Sequence, residues 1–214
     1  MRRGPRSLYD RFAKRCFDLA ASASALTLLS PLLAGVAVAV RVQHGAPVLF
    51  RQKRTGRDGK PFEILKFRTM TDERDASGKL LPDKHRLTAL GRWLRATSID
   101  ELLELWNVLR GDMSLVGPRP LLHHYMDRYS DRQKHRHDCR PGLTGWVAVN
   151  GRNTTTWDER FEMDLYYVEN LGPRLDLQIL VRTIATVLGR QGIDPGFADQ
   201  MPEFAGSAVA DQSR

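Results

Sequence analysis

From Phe17 to Val40 the chain runs for 24 residues with no basic side chain and one acid, Asp18. As an ideal helix this stretch is about 36 Å long, enough to cross a hydrocarbon core of about 30 Å. The pattern then shortens. Val48-Leu49-Phe50 and Phe62-Glu63-Ile64-Leu65-Lys66-Phe67 read as strands, and Arg57-Asp58-Gly59-Lys60 supplies turn chemistry, so a β-hairpin is predicted over 47–70. Residues 71–84 are polar, carry Gly78 and Pro82, and read as a loop ahead of a helix at Leu87–Leu94. From Ser98 onward Leu102, Leu105, Trp106 and Leu109 recur at helical spacing until Gly111. Met113–Pro120 is held extended by its prolines, 121–138 is polar and helical, and Arg140–Asn153 is a glycine-rich loop region. Helices follow at Trp157–Asn170 and at Leu175–Leu188. The second carries an apolar stripe (Leu177, Leu180, Val181, Ile184, Val187, Leu188) suited to a core or to a membrane surface. The expected fold class is α+β, mainly helical, with a small β-hairpin and amphipathic helices.

Pro31 lies inside the apolar run, where it removes the amide that would bond the carbonyl of Thr27. Ser30 and Thr27 carry the nearest hydroxyls that could repair the loss. Three readings compete. A signal peptide fits the basic start, but signal cores run about 7–15 residues. A plain span tolerates a proline as a kink. Its difficulty is that Arg2, Arg3, Arg6, Arg11, Lys14 and Arg15 precede the run while Arg41, Arg51, Lys53, Arg54 and Arg57 follow it. Basic flanks favour the cytoplasmic side, and a single crossing exports one cluster. A re-entrant hairpin broken at Ser30-Pro31 has arms of about 21 and 15 Å, each too short to cross, and keeps both clusters on one side. The resulting division is a basic interfacial segment at 1–16, a re-entrant membrane helix at 17–40, a cytoplasmic catalytic domain at 41–189 and a flexible tail at 190–214.

Charge sharpens that division. Residues 1–60 hold twelve Lys and Arg against three acids, a balance of +9, so with +8 overall the remainder sums to −1. The excess surrounds the apolar run, which fits anionic membrane lipids better than nucleic acid, and no basic-aromatic interleaving supports the latter. The two cysteines, Cys16 and Cys139, make no zinc-type pair and no disulfide framework.

Asp100-Glu101 is the pair with the most chemistry. Ser98-x-x-Glu101 is a capping box, and taken locally the cap is the simpler reading. The same acids at a helix start could instead serve as a nucleophile and as ligands for Mg²⁺ shared with substrate phosphates. Lys66, Arg68, Arg119 (between two prolines) and Arg152 are the basic residues that could meet phosphate. His123, His124, His135, His137 and Cys139 have spacing that argues against a metal, since i,i+2 side chains diverge on a helix. A non-catalytic, membrane-anchored binding module remains the alternative.

Taken in order, Lys66-Phe67-Arg68-Thr69-Met70, Ser98-Ile99-Asp100-Glu101-Leu102, Gly111-Asp112-Met113-Ser114, Val116-Gly117-Pro118-Arg119-Pro120 and Arg140-Pro141-Gly142-Leu143-Thr144-Gly145-Trp146 resemble the bacterial sugar transferase family. The chain is similar to its small monotopic polyprenyl-phosphate phosphoglycosyl transferases, most like those that transfer diacetylbacillosamine 1-phosphate. The resemblance implies that Asp100 attacks the sugar-linked phosphorus of a UDP-sugar and releases UMP. The phosphosugar then passes to undecaprenyl phosphate, a first membrane step of glycan assembly at the cytoplasmic face of the bacterial inner membrane. It implies Glu101 and Asp100 near Mg²⁺, active-site roles for Lys66, Arg119 and Arg152, and a Ser-Pro break at Ser30-Pro31. Ala148 stands where the family commonly has Gln. The sugar, the final glycan and any homo-oligomer stay open.

Overall fold

The computed structural model describes residues 9–151, 155–188 and 203–206, apart from the side chains of Arg11, Val187 and Leu188. The chain is mainly helical, with two small two-stranded sheets and one long apolar helix near the N-terminus. That helix, α1 (Lys14–His44), follows a widened turn at Tyr9–Ala13. It is long and apolar enough to cross a membrane.

Helical residues run through Ser30-Pro31 without interruption, so the expected break is not a break in secondary structure. The reason is local repair. Ser30 Oγ donates to the Thr27 carbonyl at 2.8 Å, the acceptor that Pro31 leaves without its amide, and Thr27 Oγ1 donates to Ala23 at 2.9 Å.

Both ends of α1 are fastened to the same globular body. At the start, Lys14 is buried against Asp176 at 2.5 Å, and Asp18 accepts the Leu115 amide at 3.1 Å. At the end, Val36 and Val40 pack with Phe67 and Leu94, and the His44 ring meets Thr88 and the Arg68 carbonyl. The middle of the helix is exposed, with Leu28 80% accessible. Lys14 and Arg15, expected among headgroup-facing charges in 1–16, therefore turn inward because both find partners in the body. Residues 1–8 of that segment lie outside the described residues.

The hairpin forms as expected from β1 (Leu49–Thr55) and β2 (Pro61–Phe67), with Leu49 opposite Phe67 and Thr55 opposite Pro61. Its turn uses positive φ at Asp58 (55°) and Gly59 (74°). A single turn, α2 (Asp83–Arg86), ends the polar loop, and α3 (Ala89–Ala96) is capped by Thr88. The helix expected from Ser98 is divided. Ile99–Glu101 is a 3-10 turn, and only α4 (Glu104–Arg110) is α-helical, closed by Gly111 at φ 93°.

β3 (Ser114–Val116) pairs in parallel with β4 (Gly142–Thr144). The glycines of this region are there for approach: a Cβ on Gly142 would sit 2.0 Å from the Gly117 nitrogen. The polar stretch 121–138 is helical but fragmented into a 3-10 segment (His123–Arg128), α5 (Asp131–Lys134) and a 3-10 turn (His135–His137). Tyr129-Ser130 divides it, because Ser130 is extended and caps α5 with Gln133. Three helices complete the body: α6 (Trp146–Asn150), α7 (Trp157–Glu169) and α8 (Pro173–Leu188).

Val116, Cys139, Tyr167, Leu175 and Ile179 make the core beneath β3, α7 and α8. On the other side of α8, Leu177, Val181 and Ile184 are 58–63% exposed. The flexible tail expected over 190–214 needs one correction: Phe204 is buried with Tyr125, Tyr129 and Phe161, because an aromatic side chain finds a cage there.

Candidate active site

Ser98 takes a left-handed conformation (φ 54°), uncommon for a residue with a side chain, and makes no side-chain cap. The capping-box reading of Ser98 and Glu101 therefore fails. With the cap gone, the Glu101 carboxylate is available elsewhere, and Oε1 receives both Lys66 Nζ (2.5 Å) and Arg119 Nη2 (2.9 Å). Lys66 reaches it from β2 and Arg119 from the segment between Pro118 and Pro120. Two of the expected phosphate-binding cations thus converge on the second acid of the pair. Burial works against the Glu101 charge, but Arg119 and Lys66 together overcome it and hold the carboxyl below its ordinary range.

Asp100 is 7% exposed, its carboxylate meets its own backbone amide, and it forms no ion pair among the described residues. Burial, and then the neighbouring Glu101 charge, push its pKa up to about 6, against the weaker pull of Lys66 and Arg95. The pair is thus divided into an acid held by two cations and an acid without a direct ion pair. This arrangement suits a hard divalent cation, which needs only one or two protein carboxylates when waters and phosphate oxygens complete its shell.

Three residues of the site were not singled out by sequence. Glu104, 3% exposed, lies 3.3 Å from Lys66, and burial followed by the Glu101 charge raises its pKa. Arg54 lines a polar cleft with Lys66, Glu104, Arg119 and Pro120, and donates to the Pro120 carbonyl at 3.2 Å. Its pKa is lowered by burial and by Arg119. Asn107, fully buried, accepts the Leu65 amide (3.1 Å) and donates to the Glu63 carbonyl (2.7 Å), clamping the stretch of β2 that leads into Lys66 to α4. The i,i+3 spacing of Glu101 and Glu104 was a readable signal. For Arg54 and Asn107, which act across elements, no local pattern existed.

Arg68 does not join this group. Its guanidinium is tied to Asp72 (2.8 Å) and to the Met70 and Ala46 carbonyls, so it braces the end of β2 rather than facing the cleft. Arg152 lies outside the described residues. Among the described residues no three His, Cys, Asp or Glu side chains group as a metal site. The histidines are used separately: His123 meets Thr55, His135 meets Asp138, and His137 is buried with its pKa lowered to about 3.

Comparison with known proteins gives the family. The family profile described as "Bacterial sugar transferase" matches residues 9–190. The chain is 50% identical over 194 residues to the uncharacterized sugar transferase EpsL of Bacillus subtilis (strain 168), covering 91% of this chain and 96% of that protein. It is 41% identical over 201 residues to the UDP-galactose-lipid carrier transferase of Erwinia amylovora, covering 86% of this chain and 42% of that protein. It is 42% identical over 194 residues to the UDP-glucose:undecaprenyl-phosphate glucose-1-phosphate transferase of Caulobacter vibrioides, covering 86% of this chain and 72% of that protein.

Proposed function

This chain belongs to the bacterial sugar transferase family, a transferase lineage, and from that premise we propose that it moves a sugar 1-phosphate from a UDP-sugar to undecaprenyl phosphate with release of UMP. The observation that carries the reading is the divided acid pair: a buried Asp100 with no ion pair beside a Glu101 held by two cations. Relatives named for galactose and glucose support the donor class without choosing the sugar. An N-acetylated amino sugar such as diacetylbacillosamine is the first donor to test.

In the proposed mechanism Asp100 is the nucleophile. A desolvated carboxylate is a better nucleophile than a solvated one, and a pKa near 6 leaves it mostly ionised at neutral pH. Its oxygen attacks the sugar-linked phosphorus as the bond from that phosphorus to the UMP oxygen breaks. The phosphosugar is then carried as an acyl phosphate. A phosphate oxygen of undecaprenyl phosphate attacks the same phosphorus, forms the diphosphate and returns Asp100 as a carboxylate. Lys66 and Arg119 hold Glu101 and offer further N–H groups to phosphate oxygens, so charge neutralisation and positioning carry the catalysis. Mg²⁺, held by Asp100 and Glu101, would supply Lewis-acid neutralisation of the phosphates when bound.

Both substrates meet at the membrane. We place α1 as a re-entrant helix in the bacterial inner membrane, with the catalytic body on its cytoplasmic face among anionic lipids. The attachment of both ends of α1 to one body supports this, since a full crossing would carry the ends to opposite sides. The exposed Leu177, Val181 and Ile184 offer a second apolar contact with lipid. The test incubates membranes holding the protein with UDP-sugars, undecaprenyl phosphate and Mg²⁺, and follows UMP. Asp100→Asn is expected to lose more than about 1,000-fold in rate, and unaltered release from that variant overturns the assignment. Radiolabelled phosphosugar retained on the protein without acceptor is expected for two-step transfer.

A further inference from the structure

Beyond α8 the chain returns to the body at Glu203–Gly206, where Phe204 is 2% exposed. The cage around it is built from two separate segments. Tyr125 and Tyr129 follow Arg119 in the chain, and Trp157 and Phe161 open α7. The Phe204 ring stacks on Tyr129 at 5.6 Å and meets Phe161 edge-on at 5.0 Å. Its backbone is held as well: Arg128 donates to the Phe204 carbonyl at 2.5 Å, and the Phe204 amide donates to Tyr125 Oη at 3.4 Å.

The same two rings support a buried cation. The Arg136 guanidinium lies 5.9 Å from the Tyr129 ring centre and 5.7 Å from that of Phe161. Its Nε and Nη2 donate to Asp164 of α7 (3.0 and 2.6 Å), and Nη2 also donates to the Arg119 carbonyl at 2.8 Å. Arg119 is therefore tied to α7 through one guanidinium wedged on the rings against which Phe204 packs. The Arg119 side chain itself is 64% exposed. Its backbone anchorage thus limits where the guanidinium can reach.

We propose that Phe204 is a positioning residue for Arg119. The docked C-terminal segment holds Tyr129 and Phe161 against Arg136, Arg136 holds the Arg119 carbonyl, and Arg119 presents its guanidinium to Glu101 and to a substrate phosphate. Close packing transmits the effect, because rings that lose a neighbour on one side settle toward the void. The inference rests on the reading of Arg119 as a phosphate-binding residue of the transferase.

A double-mutant cycle on the full chain tests it. Phe204→Ala is expected to lower kcat/KM for the UDP-sugar about tenfold when Arg119 is present, and less than twofold in an Arg119→Ala background. A short peptide of sequence Met-Pro-Glu-Phe-Ala-Gly, copying 201–206, is expected to restore the Phe204→Ala protein. Equal losses in both backgrounds would overturn the proposal, as general damage would give that result. So would unchanged kcat/KM in Phe204→Ala. Hydrogen exchange supplies a readout independent of turnover: the Thr55 amide, which donates to the Leu121 carbonyl at 3.0 Å two residues beyond Arg119, is expected to exchange at least tenfold faster in Phe204→Ala, and unchanged exchange overturns the inference. Absence of UMP release from the unaltered chain would instead overturn the transferase reading, with the exchange arm still deciding the link from Phe204 to Arg119.

Discussion

Asp100 carries a cost that a purely structural acid would have shed. Its folded pKa of about 6 lies above the ordinary carboxylate value, so the folded state binds the proton more tightly than the unfolded chain does. The sign follows: stability falls as pH rises from about 4 to about 6, and above that window the penalty is fully present, up to about 3 kcal/mol for a shift of this size. Asp100→Asn removes the charge and keeps the shape. Its melting temperature is expected to exceed that of the unaltered protein at pH 7.5, with the difference shrinking toward pH 4, while activity is lost. Glu101 has the opposite sign, with its contribution present at neutral pH and lost on acidification. Lys66 is one of the cations lowering the Asp100 pKa. Lys66→Met is therefore expected to move the acid limb of the single-turnover pH profile above 6, besides lowering the rate. An unmoved limb would separate Lys66 from the ionisation of Asp100.

Between elements, the join that matters is the one between β2 and α4. Asn107 bonds the backbone at Glu63 and Leu65, just before Lys66, so the strand carrying the cation and the helix following the acids are placed by one buried amide. Arg15 steadies the same helix from α1 by donating to the Val108 and Leu109 carbonyls at its C-terminus. Asn107→Ala leaves a buried amide and a carbonyl without partners and is expected to cost about 2–4 kcal/mol in denaturant unfolding. Gly142→Ala tests another join. Its Cβ would meet backbone at 2.0 Å rather than a flexible side chain, so misplacement of β4 and loss of folded protein are expected. β1, β2, α3, α7 and α8 were legible from period, turn and cap signals, whereas β4 and α6 lie in the stretch 140–153 that reads locally as a glycine-rich loop. The helix at Ser98 was over-extended, because its capping signal is genuine in local sequence and was outcompeted by ion pairs to Lys66 and Arg119.

Across the molecule, the decisive geometry is that of α1. A helix of about 46 Å rests on one body at both ends, which on the re-entrant reading proposed above keeps both ends on one side of the membrane. Phe12→Cys and Gln43→Cys, each made in a Cys16→Ser background, are expected to react with an impermeant thiol reagent only from the cytoplasmic side. Labelling from opposite sides would mean a full crossing. The native Cys139 is buried and is expected to stay silent.

What the amino-acid sequence determined alone was local and compositional. An apolar run with basic flanks, the proline and its hydroxyl repair, hairpin chemistry at 57–60 and an ordered set of motifs around Asp100-Glu101 are all properties of neighbouring residues. The tertiary structure alone decided which charges face one another. Lys66 and Arg119 meet Glu101 from 35 and 18 positions away, Arg68 is turned to a structural bond, Glu104 and Arg54 enter the cleft, and Phe204 reaches Arg119 through Arg136. Such pairings depend on distance in space and on burial, which set whether a charge is screened or felt. Neither is written in the spacing of residues along the chain.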